Sequence, residues 1–497
     1  MRTTAQSVYF FVSLRYGACI SRVCVLAAMA GMLIWRMACQ CTVILLMNLN
    51  AEFVERTEAL LGKEAYARFA QALDEEPVVN VRFNEQKHYS NIDGDNVPWA
   101  SLGRYLAERP TFTADPLFHA GCYYVQEASS MFLEQVVRQY VNSPVRALDL
   151  CAAPGGKSTH LHSLLPAGSL LVSNEPMPLR AQVLAENVIK WGRASAVVTK
   201  NEPADFAPFK NFFDFLLVDA PCSGEGMFRK DSFAVEQWSL ANVKQCAARQ
   251  REIVADIWES LRPGGIMVYS TCTFNREENE DCVEWIATTL GAQVLPVEVA
   301  AEWNVTGSLT TQGLPVYRFI PGYTKGEGLF MAVLRKEGDA SVSQPRMPRL
   351  KVVDNKMKRE VEKWLKQPAK FDFIMQDDMV VAMPKEHTAA IVALNQKIRV
   401  LHSALPLAEV KNNKLLPVHA LAMSVELEPS AFRTVEVDRE KALSYLHREA
   451  LLFADEPVGY LLLIYKGAPL GFVKNIGNRA NNLYPAEWRI RKNPLEL

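Results

Sequence analysis

Between residues 146 and 336, short apolar segments of strand length alternate with longer segments of helical pattern. The strand candidates are residues 146–150, 169–175, 195–199, 215–219, 266–270 and 328–336. Helical patterns fill the intervals, among them residues 180–191 and 237–261. Parallel strands need long crossover connections, and helices supply them when strands and helices alternate. The pattern therefore predicts an α/β fold built on a doubly wound parallel sheet.

The segments on either side of this sheet differ from it and predict two further domains. Residues 47–145 open with a helical pattern, continue with a short strand at 78–84 that is expected to carry Arg82 outward, and end in a helix beginning near Gln126. Two prolines at 345–348 mark a linker after the last strand. We predict a small α+β domain, the sheet domain and a C-terminal α+β or β domain, at 47–145, 146–340 and 345–497.

Residues 1–46 fit none of these domains. They lack Asp and Glu, contain four of the ten cysteines, and include an apolar run of thirteen residues at 23–35. A helix needs about 20 residues to cross a bilayer. We expect the native chain to begin at Met47, with residues 1–46 as translated upstream sequence; a membrane anchor is the alternative.

A glycine-containing turn joins the first predicted strand to the helix that follows it. In the segment CAAPGGK at 151–157, backbone N–H groups and the helix N-terminus can receive a negatively charged ligand group. A P-loop would need glycine where Cys151 stands, and the dinucleotide GxGxxG pattern is absent. Glu175 ends the second strand, twenty residues beyond Gly155, where an acid can bind a ribose diol. This combination indicates an adenosine ligand without phosphates, S-adenosylmethionine first among them.

Two cysteines occupy short polar turns at the ends of two further strands. Cys222 lies in LLVDAPCSGEGMFRKD at 216–231, and Cys272 lies in RPGGIMVYSTCTFNREEN at 262–279. Ligands collect at the carboxyl ends of the strands in open α/β sheets. Neighbouring strands lie about 4.8 Å apart, so adjacent loops can bring both thiols to one substrate group. Two thiols in this position suggest covalent chemistry.

The final segment of the chain combines positive charge with aromatic residues and asparagines. Its last 32 residues hold six Lys or Arg against two Asp or Glu, although the whole chain has a net charge of −1. Five of these basic residues, Lys474, Arg479, Arg489, Arg491 and Lys492, are interleaved with the aromatic residues Phe472, Tyr484 and Trp488. Such mixtures suit phosphate contacts and base stacking. The segment predicts RNA binding; the alternative is the solvated face of a small β domain.

Composition restricts the remaining function classes. Hydrophobic residues make up 49% of the chain and charged residues 22%, which is typical of a globular protein. The ten cysteines include no CxxC pair and no cysteine–histidine spacing typical of zinc. We expect a reduced, cytoplasmic, monomeric protein that binds neither a metal nor a membrane.

The motifs CAAPGGK, DAPCSG and STCT, in this order and spacing, resemble those of the Sun/Nop-type RNA cytosine-C5 methyltransferases. Within this family the chain is most similar to the bacterial small-subunit ribosomal RNA enzymes with a C-terminal PUA-like RNA-binding domain. The resemblance covers residues 47–497 and leaves 1–46 unmatched. It implies a Rossmann-like methyltransferase sheet, an N-terminal domain that packs on it and binds RNA, and methylation of carbon 5 of a cytosine in 16S ribosomal RNA.

The resemblance also implies a role for each motif. The residues expected to hold S-adenosylmethionine are Cys151, Ala152, Ala153, Pro154, Gly155, Gly156, Lys157, Glu175, Asn201 and Asp219. Cys272 is the implied nucleophile, and Cys222 the residue that releases the covalent intermediate. Asp219 is also expected to protonate or hydrogen-bond N3 of the base. Related enzymes often carry an acid at the adenine end where this chain has Asn201, and Asp205 is a second candidate for that contact.

The two thiols and the acid fit the chemistry that the resemblance implies. Carbon 5 of cytosine is a poor nucleophile until a thiolate adds to carbon 6, which replaces one difficult step by two easier ones. Asp219 can take up charge at N3 as a general acid. The carbon-5 proton must then leave, and Cys222 is a candidate base or relay for it. The target base must be unpaired or flipped to reach such a site.

Three other functions compete with this interpretation. Transfer RNA is an alternative substrate for the same chemistry. A DNA cytosine methyltransferase would use Cys222 as its nucleophile and would not need Cys272. A non-catalytic RNA-binding ribosome assembly factor would leave the paired cysteines unexplained.

Overall fold

The structure is a computed structural model that describes residues 49–87, 92–311, 313–347 and 349–491. The expectations for residues 1–46 and for Lys492 lie outside the described residues. Within the described ranges, no helix combines the length and the apolar character needed to cross a membrane. The same ranges contain no group of three or more His, Cys, Asp or Glu side chains that could hold a metal ion.

The N-terminal domain combines short helices with a four-stranded antiparallel sheet of order β2-β3-β1-β4. Its elements are α1 Ala51–Leu61, α2 Lys63–Leu73, β1 Val79–Phe83, β2 Asp95–Asn96, β3 Gly103–Leu106, α3 Pro116–His119, β4 Tyr123–Val125 and α4 Leu133–Tyr140. The helix expected near Gln126 begins instead at Leu133. A 3-10 helix at Ser129–Phe132 precedes it, and Gln126 stays outside both helices because its N–H donates to the Asn80 carbonyl at 3.2 Å, next to the ladder between β1 and β4.

Arg82 lies in β1 and points into the protein, so the expectation that it points outward is wrong. Its side chain is 1% exposed and donates to Gln126 Oε1 and to Thr159 Oγ1, each at 2.7 Å. The guanidinium carbon lies 4.3 Å from the ring centroid of Trp191. The central domain covers this face of β1, and burial lowers the pKa of Arg82 to about 9. Arg82 thus joins the N-terminal domain to the helix that follows the glycine turn.

The central domain is a nine-stranded sheet with helices on both faces. Its elements are β5 Arg146–Asp149, α5 Gly156–Leu164, β6 Leu170–Asn174, α6 Pro178–Trp191, β7 Ala196–Thr199, β8 Phe213–Asp219, α7 Ser232–Gln237, α8 Leu240–Trp258, β9 Leu261–Thr271, α9 Glu280–Leu290, β10 Ala292–Leu295, β11 Val316–Phe319 and β12 Leu329–Lys336. The five strands β5 to β9 are mutually parallel in the order β9-β8-β5-β6-β7. The predicted doubly wound sheet is confirmed. The strand order reverses between β5 and β8, where open sheets of this type bind ligands.

Alternate residues of the central strands enter two separate cores. Leu148 and Leu216 point to one face of the sheet, where they pack in a cluster with Ile253 of α8. Their neighbours Ala147 and Leu217 point to the other face, in a cluster with helices α4 and α5. Because both faces are covered, the strands are apolar throughout rather than alternating, which is the pattern read from the sequence.

The C-terminal region contains two four-stranded sheets, of orders β13-β14-β16-β17 and β18-β19-β20-β21. Its elements are α10 Asn355–Val361, β13 Phe371–Gln376, β14 Met379–Pro384, α11 Thr388–Lys397, β15 Val400–Ser403, β16 Leu405–Lys411, β17 Lys414–Pro417, α12 His419–Met423, β18 Arg433–Glu436, α13 Arg439–His447, β19 Gly459–Tyr465, β20 Ala468–Asn475 and β21 Ala480–Asn482. Strand β15 leaves this region and pairs antiparallel with β7. The C-terminal region therefore completes an edge of the central sheet, which the sequence did not predict.

Two aromatic residues of the basic final segment lie in the protein interior. Phe472 and Tyr484 are each 1% exposed, and Tyr484 packs edge-on against His419. Trp488 is half-buried beside the same histidine. The expectation that Phe472 and Tyr484 stack on RNA bases is wrong, because the core of the last sheet already surrounds both rings. The described basic residues of the segment are exposed, namely Lys474, Arg479, Arg489 and Arg491.

Candidate active site

A cavity of about 480 Å³ opens at the carboxyl ends of the central strands, where the strand order reverses. The predicted site residues that line it are Cys151, Ala153, Glu175, Asp219, Cys222 and Cys272. They come from four loops, which follow β5, β6, β8 and β9. The sheet therefore brings together residues that are up to 121 positions apart, from Cys151 to Cys272.

The two thiols lie side by side at this cavity. Asp219 of β8 pairs with Ser270 of β9, so the loops after the two strands run next to each other. The sulfur atoms of Cys222 and Cys272 are 3.3 Å apart and both cysteines are free. The hydrogen bond to Cys272, together with burial, raises the pKa of the Cys222 thiol well above its ordinary value. Cys222 therefore keeps its proton while it faces Cys272.

Asp219 and Lys157 form an ion pair beside the thiols. Lys157 Nζ donates to Asp219 Oδ2 at 2.8 Å, and Ser270 Oγ donates to Asp219 Oδ1 at 2.7 Å. Burial acts to lower the pKa of Lys157, but Asp219 and then Cys272 outweigh it, and the pKa is raised. Lys157 thus places a positive charge behind the cavity wall, where it interacts electrostatically with Cys272.

Asp149 lies beneath the glycine turn, next in the chain to the lining residue Leu150, and was not predicted from the sequence. It ends β5, is fully buried, and accepts a hydrogen bond from Ser158 Oγ on Oδ2 at 2.6 Å. Its other oxygen, Oδ1, has no hydrogen-bond partner. Burial raises the pKa of Asp149 to about 7; Ser158 opposes the shift, and Asp219 adds to it. An acid at a strand end directly before a glycine turn was the signal available in the sequence.

Glu175 lies at the cavity where a ribose contact was expected. Its side chain is buried, and Oε1 accepts from the Met177 N–H at 3.0 Å. Arg180 Nη2 lies 3.4 Å from Glu175 Oε2 and donates to the Ala153 carbonyl at 3.0 Å. The acid and the glycine turn are thereby held on one wall of the cavity.

The glycine turn itself is shaped by backbone geometry. Gly155 precedes α5 with a φ of 118°, in a region that side chains disfavour. A Cβ on Gly156 would lie 3.2 Å from Tyr124 Cε1 of the N-terminal domain. Five predicted residues of the turn do not line the cavity, namely Ala152, Pro154, Gly155, Gly156 and Lys157. They form its supporting turn, except that Lys157 reaches Asp219.

Neither residue proposed for the adenine end lines this cavity. Asn201 Nδ2 donates to the Arg399 carbonyl at 3.0 Å, and the Arg399 N–H donates to Asn201 Oδ1 at 2.9 Å. Asp205 Oδ2 accepts from the Glu202 N–H at 2.9 Å. On this loop the cavity is lined by Glu202 and Pro203. The adenine contact of Asn201 or Asp205 stays a prediction.

Two buried acids that the sequence analysis also missed connect the thiol loops. Glu278 accepts from the Ser223 N–H at 3.0 Å and from Gln250 Nε2 at 2.8 Å. Glu225 accepts from the Phe274 N–H at 2.6 Å, and Asn275 Nδ2 donates to both acids. Each acid thus links the loop of one cysteine to the loop of the other. They follow the cysteines closely in the chain, but the pattern gave no sign of their partners.

These features place the chain in the class of the methyltransferases: a doubly wound sheet, a crevice where its strand order reverses, and the motif residues around that crevice. Three family models match the chain: 16S rRNA methyltransferase RsmB/F at residues 140–335, the N-terminal domain of 16S rRNA methyltransferase RsmF at 49–128, and the methyltransferase RsmF PUA domain at 432–490. Proteins named ribosomal RNA small subunit methyltransferase F from an Enterobacter species and from Cronobacter sakazakii are 30% and 31% identical to it. These matches cover 79% of this chain and 83% and 84% of the relatives. The chain belongs to the RsmB/F family of ribosomal RNA methyltransferases.

Solved structures agree with this assignment at the level of the fold. A methyltransferase homologue from Pyrococcus horikoshii is 26% identical, with a TM-score of 0.52, over 59% of this chain and 98% of that chain. NSun6 from the same organism, solved with SFG, is 21% identical, with a TM-score of 0.50, over 58% of this chain and 99% of that chain. The predicted Rossmann-like methyltransferase fold and PUA-like domain are confirmed. The chain is an RNA methyltransferase that depends on S-adenosylmethionine, as the motifs predicted.

Proposed function

We propose that this enzyme methylates carbon 5 of a cytosine in 16S ribosomal RNA through a covalent bond between Cys272 and carbon 6. The observation that carries the proposal is the 3.3 Å distance between the two thiols at the cavity. The names of the relatives support small-subunit RNA as the substrate. No observation favours transfer RNA.

The surroundings of the thiols support unequal roles for them. A thiolate at Cys272 is stabilised by the Cys222 hydrogen bond and by the Lys157 ammonium, which interacts with Cys272 electrostatically. We assign the role of nucleophile to Cys272, as the resemblance of the STCT motif implies, and the electrostatic interaction of Lys157 with Cys272 supports this assignment. A DNA-type assignment would instead make Cys222 the nucleophile.

Addition of the thiolate places negative charge on the base, and a proton from the Lys157–Asp219 pair neutralises that charge. The Cys272 sulfur bonds to carbon 6, the double-bond electrons move to carbon 5, and N3 takes up a proton. Asp219 accepts hydrogen bonds on both oxygens, so the Lys157 ammonium, rather than a protonated Asp219, supplies this proton and becomes neutral. S-adenosylmethionine supplies the methyl group, and the residues that would hold it are Ala153 and Glu175, which line the cavity.

Release of the product follows from the same pair of thiols. Once the Cys272 sulfur is bonded to carbon, it no longer carries charge, and the main cause of the raised Cys222 pKa is gone. Cys222 can then lose its proton to solvent and, as a thiolate, accept the proton from carbon 5. The electrons of that C–H bond restore the ring double bond, Cys272 leaves as a thiolate, and N3 returns its proton to Lys157.

Trapping of covalent protein–RNA adducts tests this assignment. Wild type, Cys222→Ala and Cys272→Ala are incubated with 16S ribosomal RNA and S-adenosylmethionine, then separated on denaturing gels. We expect Cys222→Ala to accumulate adduct because the intermediate cannot be released, and Cys272→Ala to form none. Cys246→Ala, on α8 but outside the cavity lining, is the matched control and should behave as wild type. Adduct and methylation by Cys272→Ala would overturn the proposal.

A further inference from the structure

A second cavity, of about 550 Å³, lies between the N-terminal and catalytic domains. Strands β1 and β4 form one wall, and the loop that follows Cys222 forms the other. Its polar and charged lining includes Asn80, Arg109, Gln126, Glu127, Arg229 and Lys230. Sites for small ligands have volumes of about 300–1,000 Å³, so this cavity has room for a nucleotide.

Both walls of this cavity continue into the active site. On one wall, Gln126 Cγ lies 3.6 Å from the position that a Cβ on Gly156 would take, so it contacts the glycine turn. The other wall, at Arg229 and Lys230, follows Gly226, whose N–H donates to the Cys272 carbonyl at 2.7 Å. The second cavity therefore adjoins the site of the thiols without sharing its lining residues.

A buried ion pair supports the catalytic-domain wall. Arg229 Nε donates to Glu327 Oε2 at 2.7 Å, and both side chains are 4% exposed. Glu127 accepts from three backbone N–H groups, those of Ser129, Ser130 and Glu327. The carboxylate of Glu127 is thus satisfied from within the protein, and it does not need a cation from a ligand.

Positive charge remains at the rim of the cavity. Arg109 and Lys230 are exposed, and Lys230 Nζ lies 3.7 Å from Glu327 Oε1. Glu76 is the exposed acid of the lining. Side chains of this length at the mouth of a polar cavity can reach a phosphate group of a bound strand.

Asn80 lines this cavity and carries a hydrogen-bond acceptor that no group of the protein uses. The residue is 3% exposed, and its Nδ2 donates to the Val78 carbonyl at 3.3 Å. Its Oδ1 is buried without a hydrogen-bond partner, which is unfavourable unless a ligand supplies a donor. The edge of a nucleobase offers such N–H donors.

We propose that this cavity binds a nucleotide of the RNA strand beside the target cytidine. The base donates an N–H to Asn80 Oδ1, and Arg109 and Lys230 contact its phosphate. RNA is recognised chiefly where bases are unstacked, and a flipped target base leaves its neighbours free to be held in this way. The inference rests on RNA as the substrate of the catalytic site.

Site-specific photocrosslinking locates the nucleotide. A benzophenone amino acid replaces Arg109, the full-length enzyme is irradiated with 16S ribosomal RNA transcribed in vitro, and the crosslink is mapped by reverse transcription. We expect the crosslink directly beside the methylated cytidine. The same amino acid at Lys63, an exposed position of α2 outside the cavity lining, is the control. A crosslink distant in sequence and structure from that cytidine, or equal crosslinking from Lys63, overturns the proposal.

Kinetics then test the contact with Asn80. Asn80→Ala and Lys230→Ala should each raise KM for RNA about tenfold, the effect of one lost polar contact, with the Kd for S-adenosylmethionine unchanged. An abasic nucleotide at the crosslinked position should raise KM for the wild type but not further for Asn80→Ala. Because Lys230 is exposed, Lys230→Ala should fold normally and keeps the test valid if Asn80→Ala misfolds. Lys63→Ala, at another exposed position, is the control. If both variants keep the wild-type KM for RNA while adduct formation still requires Cys272, the nucleotide site is refuted and the proposed function stands. If adduct forms without Cys272, the proposed function itself is refuted.

Discussion

Glu278 shows how a single buried residue can couple stability to pH. It is fully buried between the two cysteine loops, and its pKa is raised from 4.5 to about 7. Burial is the main cause, hydrogen bonds from Ser223 and Asn275 oppose it, and the charge of Glu225 adds to it. As pH rises, Glu278 loses its proton at a lower pH in the unfolded chain than in the folded protein. Protonated Glu278 therefore favours the folded form at low pH. The favourable contribution is complete below the unfolded pKa and is lost as pH rises to about 7.

The variant Glu278→Gln tests this coupling. It cannot titrate, so its free energy of unfolding should fall less than that of the wild type between about pH 5 and about pH 8, by up to about 3 kcal/mol. Urea unfolding at each pH measures the difference. Glu302→Gln, at an exposed position, is the control and should keep the wild-type slope. Parallel pH profiles for wild type and Glu278→Gln would show that Glu278 is not the titrating group.

At the scale of single elements, strand β15 is the least expected feature of the fold. It belongs in sequence to the C-terminal region, yet Val400 pairs with Thr199 and Ser403 with Val197 on the edge of the central sheet. An unpaired sheet edge exposes backbone groups that can pair with other chains, and β15 covers it. The Asn201 amide binds both backbone groups of Arg399, directly before the strand.

The variant Asn201→Ala separates this structural role from the predicted adenine contact. Loss of two partly buried hydrogen bonds to Arg399 should lower the free energy of unfolding by about 1–3 kcal/mol. The Kd for S-adenosylmethionine should stay at the wild-type value, because Asn201 does not line the cavity. Urea unfolding and calorimetric titration measure the two quantities, with Asn478→Ala as an exposed control. A weakened Kd with unchanged stability would instead support the adenine contact.

At the scale of the whole molecule, the domains share their hydrophobic cores. Val81 and Phe83 of the N-terminal domain pack in one cluster with Leu443 and Leu461 of the C-terminal region. Another cluster joins Ala194 of the central domain to the first C-terminal sheet. Deletion of residues 345–497 would expose these clusters and remove β15. Such a deletion cannot separate RNA binding from folding, so surface substitutions are the suitable test of RNA binding by this region.

The exposed basic residues of the last segment provide that test. Simultaneous replacement of Lys474, Arg479, Arg489 and Arg491 by Gln should weaken RNA binding and reduce its salt dependence, by about 0.7 in the log–log slope for each lost contact with single-stranded RNA. The Kd for S-adenosylmethionine should not change. Fluorescence anisotropy with labelled RNA at several salt concentrations measures the slope. The control replaces four exposed lysines elsewhere, Lys63, Lys210, Lys244 and Lys356. An equal effect of both sets would indicate general charge attraction without a defined RNA surface.

The sequence by itself determined the central sheet, the class of ligand and the location of the chemistry. Buried parallel strands are continuous apolar runs, and the residue at the end of each strand falls at one edge of the sheet. Cys222, Cys272, Asp219 and Glu175 could therefore be placed at a common site from their positions after such runs. These inferences depend on local pattern and on one general property of parallel sheets, so they needed no knowledge of distant contacts.

The tertiary structure alone decided which side chains meet across long separations. Arg82 turns inward because the central domain covers β1, and its partner Thr159 is 77 residues away. Asn201 binds Arg399, 198 residues along the chain, and Glu278 binds the Ser223 loop across 55. Phe472 and Tyr484 lie in the core although charged residues surround them in the sequence. A local sequence pattern indicates that a segment is buried, but it does not indicate which distant residues the segment contacts. Those contacts are determined only when the domains pack.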